Sequence, residues 1–339
     1  MTRVAINGFG RIGRNAFKLA FARPDTKVIA INDLTDTKTL AHLLKHDSNY
    51  GLYHKDVSFD EKHIIVDGTK IEVTAEKDPA ALPWKRLDID VVIESTGRFV
   101  KGEDAALHIK AGAKKVVISA PAKGDDTSVA THVISVNDKQ LDIEKVDVFS
   151  NASCTTNSIT PVAAIIEREF GIQKAMMTTI HSYTASQALQ DAPSKDLREA
   201  RNAAENIVPT STGATIAAAK ALPALEGVFQ GLSIRVPTPV VSLADFTFLT
   251  KKDTTIEEVN AVLKKASKSD RFHGVLSYTE EELVSRDFIG DPHSSIVDSK
   301  LTNVVGGNMV KVVAWYDNEW GYSNRLVELV ALVGKKLKG

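Results

Sequence analysis

One cysteine and one histidine stand where they could act together in nucleophilic catalysis. Cys154 is the single cysteine of the 339-residue chain. It lies in the polar run Ser-Asn-Ala-Ser-Cys-Thr-Thr-Asn, directly before a helix-like segment at residues 159–168. A lone cysteine is more often a small buried apolar residue. At a helix N-terminus, however, partial positive charge and free N–H groups stabilise a thiolate, so this position favours a reactive nucleophile.

The best candidate for a partner of this thiol is His181. It follows the strand-like segment 176–180 and opens the polar run His-Ser-Tyr-Thr. A cysteine nucleophile usually needs a base or a cation beside it, and an imidazole can serve as either. The alternative is a strand-end histidine whose hydrogen bond is purely structural. A thiol paired with an imidazole indicates attack on a carbonyl carbon.

A second group of residues has the spacing of a dinucleotide-binding turn. The sequence Gly-Phe-Gly-Arg-Ile-Gly at residues 8–13 follows the strand-like segment 4–7 and precedes a helix-like segment. In such a turn Gly8 permits the tight bend, Gly10 lets the backbone approach a pyrophosphate, and Gly13 allows close packing of helix on strand. The helix N-terminus then offers its N–H groups to the phosphates.

The ends of later strand-like segments supply further polar residues for this site. Asp33 ends the second segment, where a carboxylate accepts hydrogen bonds from the adenosine ribose and repels the extra phosphate of NADP. Ser95, Thr96 and Ser119 follow two other segments at the carboxyl edge of the predicted sheet, where ligands of such folds bind. The alternative is that the glycines only form turns and Asp33 caps a helix. The agreement of strand, glycine spacing and carboxylate favours NAD as the cofactor.

A thiol nucleophile and a dinucleotide site in one chain narrow the chemistry to the oxidation of an aldehyde. Attack by the Cys154 sulfur gives a hemithioacetal, and transfer of its hydride to nicotinamide leaves a thioester. We therefore expect an NAD-dependent oxidoreductase with a covalent intermediate.

The composition and the charge argue against several other classes of protein. Lysine and arginine number 42 against 43 aspartate and glutamate, which gives a net charge of −1. This balance indicates neither a nucleic acid nor a membrane partner. One cysteine cannot form an intrachain disulfide, which favours a reducing, cytoplasmic location. His42 and His46 could share a helix face, but no third ligand accompanies them, so we expect no metal site.

Short apolar runs separated by helix-like stretches predict an α/β fold. Residues 28–32, 91–94, 116–119 and 132–136 have the apolar character of strands buried on both faces of a parallel sheet. Residues 63–66 and 71–74, separated by an Asp-Gly turn, predict an antiparallel hairpin. After about residue 150 the strand-like runs become longer, and the length of the chain suits two domains.

Six motifs spread along the whole chain match one family. They are Asn-Gly-Phe-Gly-Arg-Ile-Gly-Arg from residue 7, Ser-Cys-Thr-Thr-Asn from 153, His-Ser-Tyr-Thr from 181, Thr-Ser-Thr-Gly-Ala from 210, Arg-Val-Pro from 235, and Trp-Tyr-Asp-Asn-Glu-Trp-Gly-Tyr-Ser from 315. With these motifs the chain resembles the phosphorylating glyceraldehyde-3-phosphate dehydrogenase family. The resemblance implies a Rossmann dinucleotide-binding domain at residues 1–152 and an α+β catalytic domain with a mixed sheet at residues 153–320. It also implies that the last helix, at residues 321–339, packs back on the first domain.

The resemblance further implies a role for each residue of the site. Cys154 would be the nucleophile and His181 the acid and base. Thr184 and Arg235 would bind the phosphate group of the substrate. The attacking inorganic phosphate would be bound by Ser153, Thr155, Thr212 and Gly213. The cofactor would be bound by the backbone of Arg11 and Ile12, by Asn318 at the nicotinamide carboxamide, and by Tyr322 beside the nicotinamide ring.

The implied activity is the glycolytic oxidation of glyceraldehyde 3-phosphate to 1,3-bisphosphoglycerate with NAD and inorganic phosphate, carried out by a homotetramer. Two alternatives stay open. An erythrose-4-phosphate dehydrogenase-like enzyme would hydrolyse the thioester, but its relatives lack the Thr-Gly-Ala motif that this chain has at residues 212–214. A dinucleotide-binding module without turnover is disfavoured by the intact pair of Cys154 and His181.

Overall fold

The chain folds into two compact units in the computed structural model, which describes residues 1–124 and 127–339. The first unit comprises Met1–His132, Gln140–Ala152 and Ser323–Gly339, and the second comprises Val133–Lys139 and Ser153–Tyr322. Within the described ranges, no helix combines the length and the apolar character needed to cross a bilayer.

A largely parallel sheet forms the centre of the first unit. The strands of this unit are β1 (Thr2–Asn7), β2 (Thr26–Asn32), β3 (His46–Asp47), β4 (Gly51–Leu52), β5 (Val57–Phe59), β6 (His63–Val66), β7 (Thr69–Thr74), β8 (Val91–Glu94), β9 (Lys115–Ile118), β10 (Val129–Thr131) and β11 (Val148–Ser150). β3 and β4 pair with each other, and the others lie in the order β10-β11-β9-β8-β1-β2-β7-β6-β5. Neighbours from β10 to β7 are parallel, whereas β7, β6 and β5 pair antiparallel. This topology confirms the predicted α/β class.

The burial of these strands explains the apolar runs in the sequence. Val4, Ala5 and Ile6 of β1 are all fully buried, as a sheet covered on both faces requires. The predicted hairpin is also confirmed, by the antiparallel pairing of β6 and β7. It turns at Asp67 and Gly68, whose φ angles of 46° and 76° are the positive values that a tight two-residue hairpin turn needs.

The strand predicted at residues 132–136 is wrong. Strand β10 lies just before it, and the residues that follow form a turn in which the Val136 N–H donates to the Val133 carbonyl at 3.0 Å. The Asn137 side chain accepts from the Val133 N–H at 2.8 Å. These local bonds occupy backbone groups that a strand would pair with its neighbour.

The helices cover the sheets of both units. They are α1 (Arg11–Ala22), α2 (Thr37–Lys45), α3 (Gly102–Ala105), α4 (Leu107–Lys110), α5 (Cys154–Phe170), α6 (Ala214–Ala221), α7 (Ile256–Ser267) and α8 (Trp320–Lys336). The end of α8 belongs to the first unit, where a Cβ on Gly334 would lie 2.1 Å from the Thr2 hydroxyl. Glycine at this position therefore lets α8 pack directly on β1.

A mixed sheet forms the centre of the second unit. Its strands are β12 (Ile172–Ser182), β13 (Val208–Thr210), β14 (Phe229–Val236), β15 (Ser242–Thr250), β16 (Leu276–Thr279), β17 (Ser295–Asp298), β18 (Asn303–Val305) and β19 (Met309–Tyr316). They lie in the order β13-β14-β12-β15-β19-β17-β16, with β18 added on β19. β12 is parallel to β14 but antiparallel to β15. The predicted α+β class with a mixed sheet is thereby confirmed.

Helix α5 is anchored by its apolar face and begins at the cysteine. Ile159, Val162 and Ile166 are fully buried in one core cluster with Phe246 and Phe248 of β15. The helix starts at Cys154, ahead of the predicted start at residue 159. The first turn of α5 is therefore held against the sheet by the apolar residues that follow it.

Candidate active site

The two side chains that the sequence suggested as a catalytic pair are in contact. Sγ of Cys154 lies 3.4 Å from Nε2 of His181. Cys154 is the first residue of α5, and Ser153 caps the helix by accepting the Thr156 N–H at 3.0 Å. His181 lies near the end of β12 and is buried, whereas Cys154 is partly exposed. The geometry allows a proton to pass between the sulfur and the imidazole.

Arg235 lies beside the same imidazole because β12 and β14 are parallel neighbours in which His181 and Arg235 are paired. Nδ1 of His181 is 2.7 Å from the Ser182 carbonyl oxygen, and Nη1 of Arg235 is 2.5 Å from the same ring nitrogen. Nδ1 can form a hydrogen bond with only one of these two groups, because the carbonyl oxygen only accepts and the guanidinium only donates. With its proton on Nδ1, the ring donates to the Ser182 carbonyl and keeps the lone pair of Nε2 facing the sulfur. Arg235, which also donates to that carbonyl at 3.3 Å, then acts on the ring through its positive charge. Nε of Arg235 is buried and has no hydrogen-bond partner among the described residues, which suits a guanidinium that binds an anion.

Burial controls the protonation states of the pair. It raises the pKa of the Cys154 thiol above its ordinary value, although the positive charge of Arg235 acts in the opposite direction. Burial and the positive charge of Arg235 lower the pKa of His181 to about 3. A neutral thiol and a neutral imidazole are therefore the forms present near pH 7. The N–H groups of Thr155 and Cys154 at the start of α5 lower the thiol pKa, as expected at a helix N-terminus, but desolvation of the sulfur is the larger effect.

Tyr316, which the sequence analysis did not single out, contacts both sides of this pair. Its ring meets that of His181 edge-on, with centroids 6.1 Å apart. Its hydroxyl lies 2.9 Å from Oγ1 of Thr155 and 2.7 Å from Oγ1 of Thr179. Burial raises the pKa of Tyr316 well above its ordinary value, so this hydroxyl keeps its proton. The signal that could have identified Tyr316 is its hydroxyl group, which ends a run of apolar residues, Val-Val-Ala-Trp, in β19.

The residues implied to bind the attacking phosphate lie around the first turns of α5 and α6. Oγ1 of Thr156 donates to the Ala214 carbonyl at 3.2 Å, which joins the two helix starts. Thr212 accepts from the Ala214 N–H at 3.2 Å. Gly213 caps α6 without a side-chain bond, and a Cβ there would meet no atom within 4 Å. This corner therefore combines open space with hydroxyl and N–H groups, which together suit an oxyanion.

Asn318 is held in one orientation by two serines. Its Oδ1 accepts from the Ser182 hydroxyl at 2.9 Å and from the Ser242 hydroxyl at 3.1 Å. Ser242 follows Val241, whose φ of 73° is a strained value for a β-branched residue. With its oxygen engaged in this way, the Asn318 side chain offers its amide N–H groups to a ligand.

Two other predicted residues of the second unit, Thr184 and Tyr322, have no hydrogen bond to Cys154 or His181 among the described contacts. The Thr184 hydroxyl lies beyond the end of β12, 2.8 Å from the hydroxyl of Ser186. Tyr322 lies in the first turn of α8 and is 4% exposed. Neither position contradicts the role implied for it.

The glycine-rich turn of the first unit is shaped for close approach. Gly8 has a φ of 90°, and a Cβ on it would lie 2.7 Å from the Thr96 backbone nitrogen. A Cβ on Gly13 would lie 2.1 Å from the Gly8 carbonyl oxygen. At Gly10 a Cβ would meet no atom within 4 Å, and α1 begins after it without a side-chain cap. Packing therefore requires the first and third glycines, and the second leaves the N–H groups of α1 accessible to phosphate oxygens.

Asp33 and Arg11 are both oriented by this turn. Oδ2 of Asp33 accepts from the Phe9 N–H at 2.8 Å, so the carboxylate at the end of β2 is tied to the glycine-rich turn. The Arg11 guanidinium donates to Asp47 at 2.8 Å. That contact engages the Arg11 side chain with Asp47, and the backbone N–H groups of Arg11 and its neighbour Ile12, which lie in the first turn of α1, are the groups that can meet a ligand there.

A buried carboxylate that the sequence analysis missed organises the adjacent strand ends. Ser95, Thr96 and Ser119 follow β8 and β9 directly, as predicted. Glu94, the last residue of β8, is 1% exposed and accepts from the Thr96 N–H at 2.8 Å and from Nδ2 of Asn7 at 2.6 Å. Nε2 of His108 lies 3.0 Å from the same carboxylate. The signal that was missed is a charged residue at the end of an apolar strand. A charge at such a position is buried, and a buried charge needs hydrogen-bond partners like these.

Comparison with known proteins identifies the family. Residues 2–102 match the model described as the NAD binding domain of glyceraldehyde 3-phosphate dehydrogenase, and residues 153–318 match the model of its C-terminal domain. Curated relatives named glyceraldehyde-3-phosphate dehydrogenase include one from Geobacillus stearothermophilus, 52% identical over 334 residues and 98% of both chains. Another, from Zymomonas mobilis, is 52% identical over 338 residues and 99% of both chains.

These matches confirm the resemblance drawn from the six motifs. They also confirm NAD as the cofactor and an oxidoreductase as the class of enzyme. The chain belongs to the glyceraldehyde-3-phosphate dehydrogenase family.

Proposed function

We propose that the protein oxidises glyceraldehyde 3-phosphate to 1,3-bisphosphoglycerate with NAD and inorganic phosphate, as a step of glycolysis. The observation that carries the proposal is the 3.4 Å contact between Sγ of Cys154 and Nε2 of His181, with Arg235 paired to His181 across the sheet. A nucleophile, a base and a cation are thereby assembled at one point.

The neutral imidazole of His181 acts first as a base. Nε2 takes the thiol proton of Cys154 while the sulfur attacks the aldehyde carbon, and it returns this proton to the carbonyl oxygen to complete the hemithioacetal. In the oxidation His181 takes the hydroxyl proton of the hemithioacetal, and a thioester remains on Cys154. Attack of phosphate on the thioester carbon then expels the sulfur, which recovers a proton from His181.

The residues of the first unit fit NAD. A Cβ on Gly10 would meet no atom within 4 Å, so the turn at residues 8–13 leaves open space in which a pyrophosphate can approach the backbone. Backbone N–H groups of Arg11 and Ile12 would hold its pyrophosphate, and Asp33 its adenosine ribose. In the second unit, Asn318 would donate its amide N–H groups to the nicotinamide carboxamide, and Tyr322 would flank the ring. Bound NAD supplies the acceptor for the hydride that leaves the substrate carbon.

Two sets of groups are proposed for the phosphates. Arg235, with its unpartnered buried Nε, and Thr184 would bind the phosphate that the substrate already carries. The attacking phosphate would be bound at the start of α5 and α6 by Ser153, Thr155, Thr212 and Gly213. We also propose that residues 1–152 with the helix at 321–339 form the dinucleotide-binding domain, and that residues 153–320 form the catalytic domain.

The dependence of turnover on phosphate tests this function. Without phosphate, we expect NADH formation to stop after about one turnover per site, because the thioester then has no bound acceptor. Thr212→Ala should raise the KM for phosphate with little effect on that first turnover, while Ser211→Ala, a neighbouring exposed hydroxyl, should change neither. The burst and the steady state are both followed by NADH absorbance. Continued turnover in phosphate-free buffer with a free carboxylate as product would instead identify the hydrolytic, erythrose-4-phosphate dehydrogenase-like alternative.

Cofactor preference depends on Asp33. We expect kcat/KM to favour NAD over NADP by about 100-fold, because the Asp33 carboxylate repels the 2′-phosphate and accepts from the ribose hydroxyls. Asp33→Ala should reduce this ratio by about tenfold or more. Asp36→Ala removes a nearby exposed carboxylate that caps α2 and should leave the ratio unchanged. Equal efficiency of the unsubstituted enzyme with the two cofactors would rule out this role of Asp33.

A homotetramer in the cytoplasm is the proposed state of the enzyme. Large apolar side chains of the second unit are exposed in the single chain, namely Met176 (71%), Leu189 (71%), Leu197 (82%), Ile207 (72%) and Ile216 (65%). Such exposure suits surfaces covered by other subunits. A reducing compartment keeps the Cys154 thiol active. Sedimentation equilibrium should give four times the 36.8 kDa mass of one chain.

A further inference from the structure

Two hydrogen-bonded chains of hydroxyl groups begin at the neighbours of Cys154 in the sequence, one at Thr155 and one at Ser153. Each chain ends at a backbone carbonyl. In the first, Oγ1 of Thr155 lies 2.9 Å from the Tyr316 hydroxyl, which lies 2.7 Å from Oγ1 of Thr179. Thr179 is 3.2 Å from the Leu243 carbonyl oxygen. Thr155, Tyr316 and Thr179 are each at most 4% exposed, so the bonds between them lie in the interior of the second unit.

The carbonyl at the far end sets the direction of every bond in this chain. A carbonyl oxygen can only accept, so Thr179 donates its single proton to Leu243. The short contact between Thr179 and Tyr316 then needs the tyrosine proton, and the contact between Tyr316 and Thr155 needs the threonine proton. Thr155 therefore directs its proton inward, and its two lone pairs are all that it can offer to a ligand beside Cys154.

In the second chain, the direction of each hydrogen bond is again set by a carbonyl, and it determines what the Ser153 hydroxyl can do. Thr156 donates to the Ala214 carbonyl at 3.2 Å. The Ser153 hydroxyl lies 2.8 Å from Oγ1 of Thr156 and must donate to it, and it also accepts from the Thr156 N–H at 3.0 Å. Ser153 thus has its proton and one of its two lone pairs engaged, whereas both lone pairs of Thr155 are left, so Thr155 is the flanking hydroxyl with the greater capacity as an acceptor.

We propose that Thr155 accepts a hydrogen bond from the attacking oxyanion, and that Tyr316 and Thr179 are positioning residues that enforce this polarity. The site then selects an oxyanion that carries its own O–H group, such as hydrogen phosphate, over one that does not. This inference rests on the proposed function and specifies how its phosphate site chooses the nucleophile.

The chemistry of the step agrees with this selection. One unprotonated oxygen of hydrogen phosphate forms the new bond to the thioester carbon, and the carbon–sulfur bond breaks with its electron pair on Cys154. The P–O–H group meanwhile donates to Thr155, so the protonated oxygen is turned away from the carbon. The N–H groups at the helix starts and the Thr212 hydroxyl supply donors for the other oxygens.

Sulfate is the probe for this polarity, because it matches hydrogen phosphate in shape and charge near neutral pH but has no proton to donate. The quantity to measure is the inhibition constant of sulfate as a competitor of phosphate, divided by the KM for phosphate. This quotient is the selectivity ratio. Arsenate, which keeps an O–H group, serves as the positive comparison. With the unsubstituted enzyme the ratio for sulfate should be about tenfold, the effect of one hydrogen bond, whereas arsenate should behave like phosphate.

Cutting the hydroxyl chain at two places should remove the selection. Tyr316→Phe keeps the ring against His181 but leaves Thr155 able to donate outward. Thr179→Val lets Tyr316 turn its proton toward Thr155, with the same consequence. In both variants sulfate should bind within about twofold of phosphate. Thr160→Val removes a buried hydroxyl of α5 that donates to the Thr156 carbonyl at 2.6 Å, outside both chains, and should keep the tenfold ratio.

The outcomes separate this inference from the proposed function. An unchanged ratio in both Tyr316→Phe and Thr179→Val, or a ratio near one in the unsubstituted enzyme, would overturn the selection by Thr155. Loss of the ratio in Thr160→Val as well would also overturn it, because selection would then not depend on the hydroxyl chain. If NADH formation by the unsubstituted enzyme did not require phosphate or arsenate, the proposed function itself would fail, whatever the ratio.

Discussion

Replacing Cys154 by serine should lower kcat/KM for aldehyde oxidation by at least about 10³-fold, equivalent to about 4 kcal/mol of activation free energy. Serine keeps the position at the start of α5, but its hydroxyl is a far weaker nucleophile than a thiol that an imidazole can deprotonate. Burst and steady-state NADH formation would both be lost. Binding of NAD, measured by calorimetry, should be retained, because the glycine-rich turn lies in the other unit.

Alkylation gives an independent measurement of the same thiol. The chain has one cysteine, so iodoacetamide should incorporate one label per chain and abolish turnover in step with labelling. Because burial raises the pKa of the Cys154 thiol, the thiolate fraction and the labelling rate should still be rising above neutral pH. A rate that is already constant below pH 7 would contradict this and favour the lowered pKa expected from the helix N-terminus alone. Substantial turnover by Cys154→Ser would remove the covalent mechanism.

Replacing His181 by asparagine should lower kcat by about 10²- to 10⁴-fold, the usual contribution of a positioned general base. Because the pKa of His181 is about 3, its imidazole is neutral from mildly acidic to alkaline pH. Since this neutral imidazole accepts the thiol proton during attack, activity of the unsubstituted enzyme should not rise with loss of a proton from an imidazolium at about pH 6 to 7, and any change with pH should report the coupled pair. In His181→Asn the thiol must instead ionise without this base. Without the imidazole, the pH–rate profile of the variant should move to higher pH.

The iodoacetamide reaction separates two roles of His181. If the imidazole accepts the thiol proton, His181→Asn should slow labelling at pH 7 as well as turnover. His273→Asn, at an exposed position of the same unit, should affect neither and serves as the control. Normal labelling combined with slow turnover would show that His181 acts only after the sulfur has attacked.

Much of the fold could be predicted from local patterns, because those patterns express burial and turn geometry directly. The apolar run of β1 reflects a strand buried on both faces, and Asp67-Gly68 reflects the positive φ angles of a hairpin turn. The strand predicted at residues 132–136 failed because the Asn137 side chain closes a turn there. Apolar composition alone does not distinguish a buried strand from a buried turn.

The sequence by itself determined the reactive groups, the glycine spacing and the family, since each depends on residue type and local order. Only the tertiary structure decided how the groups modify one another. The register between β12 and β14 sets Arg235 beside His181, and burial in the assembled unit moves the pKa values of Cys154 and His181. The bond from Thr155 to Tyr316 joins residues 161 positions apart. Such contacts leave no local periodicity in a sequence, because they arise only when separate strands and helices pack together.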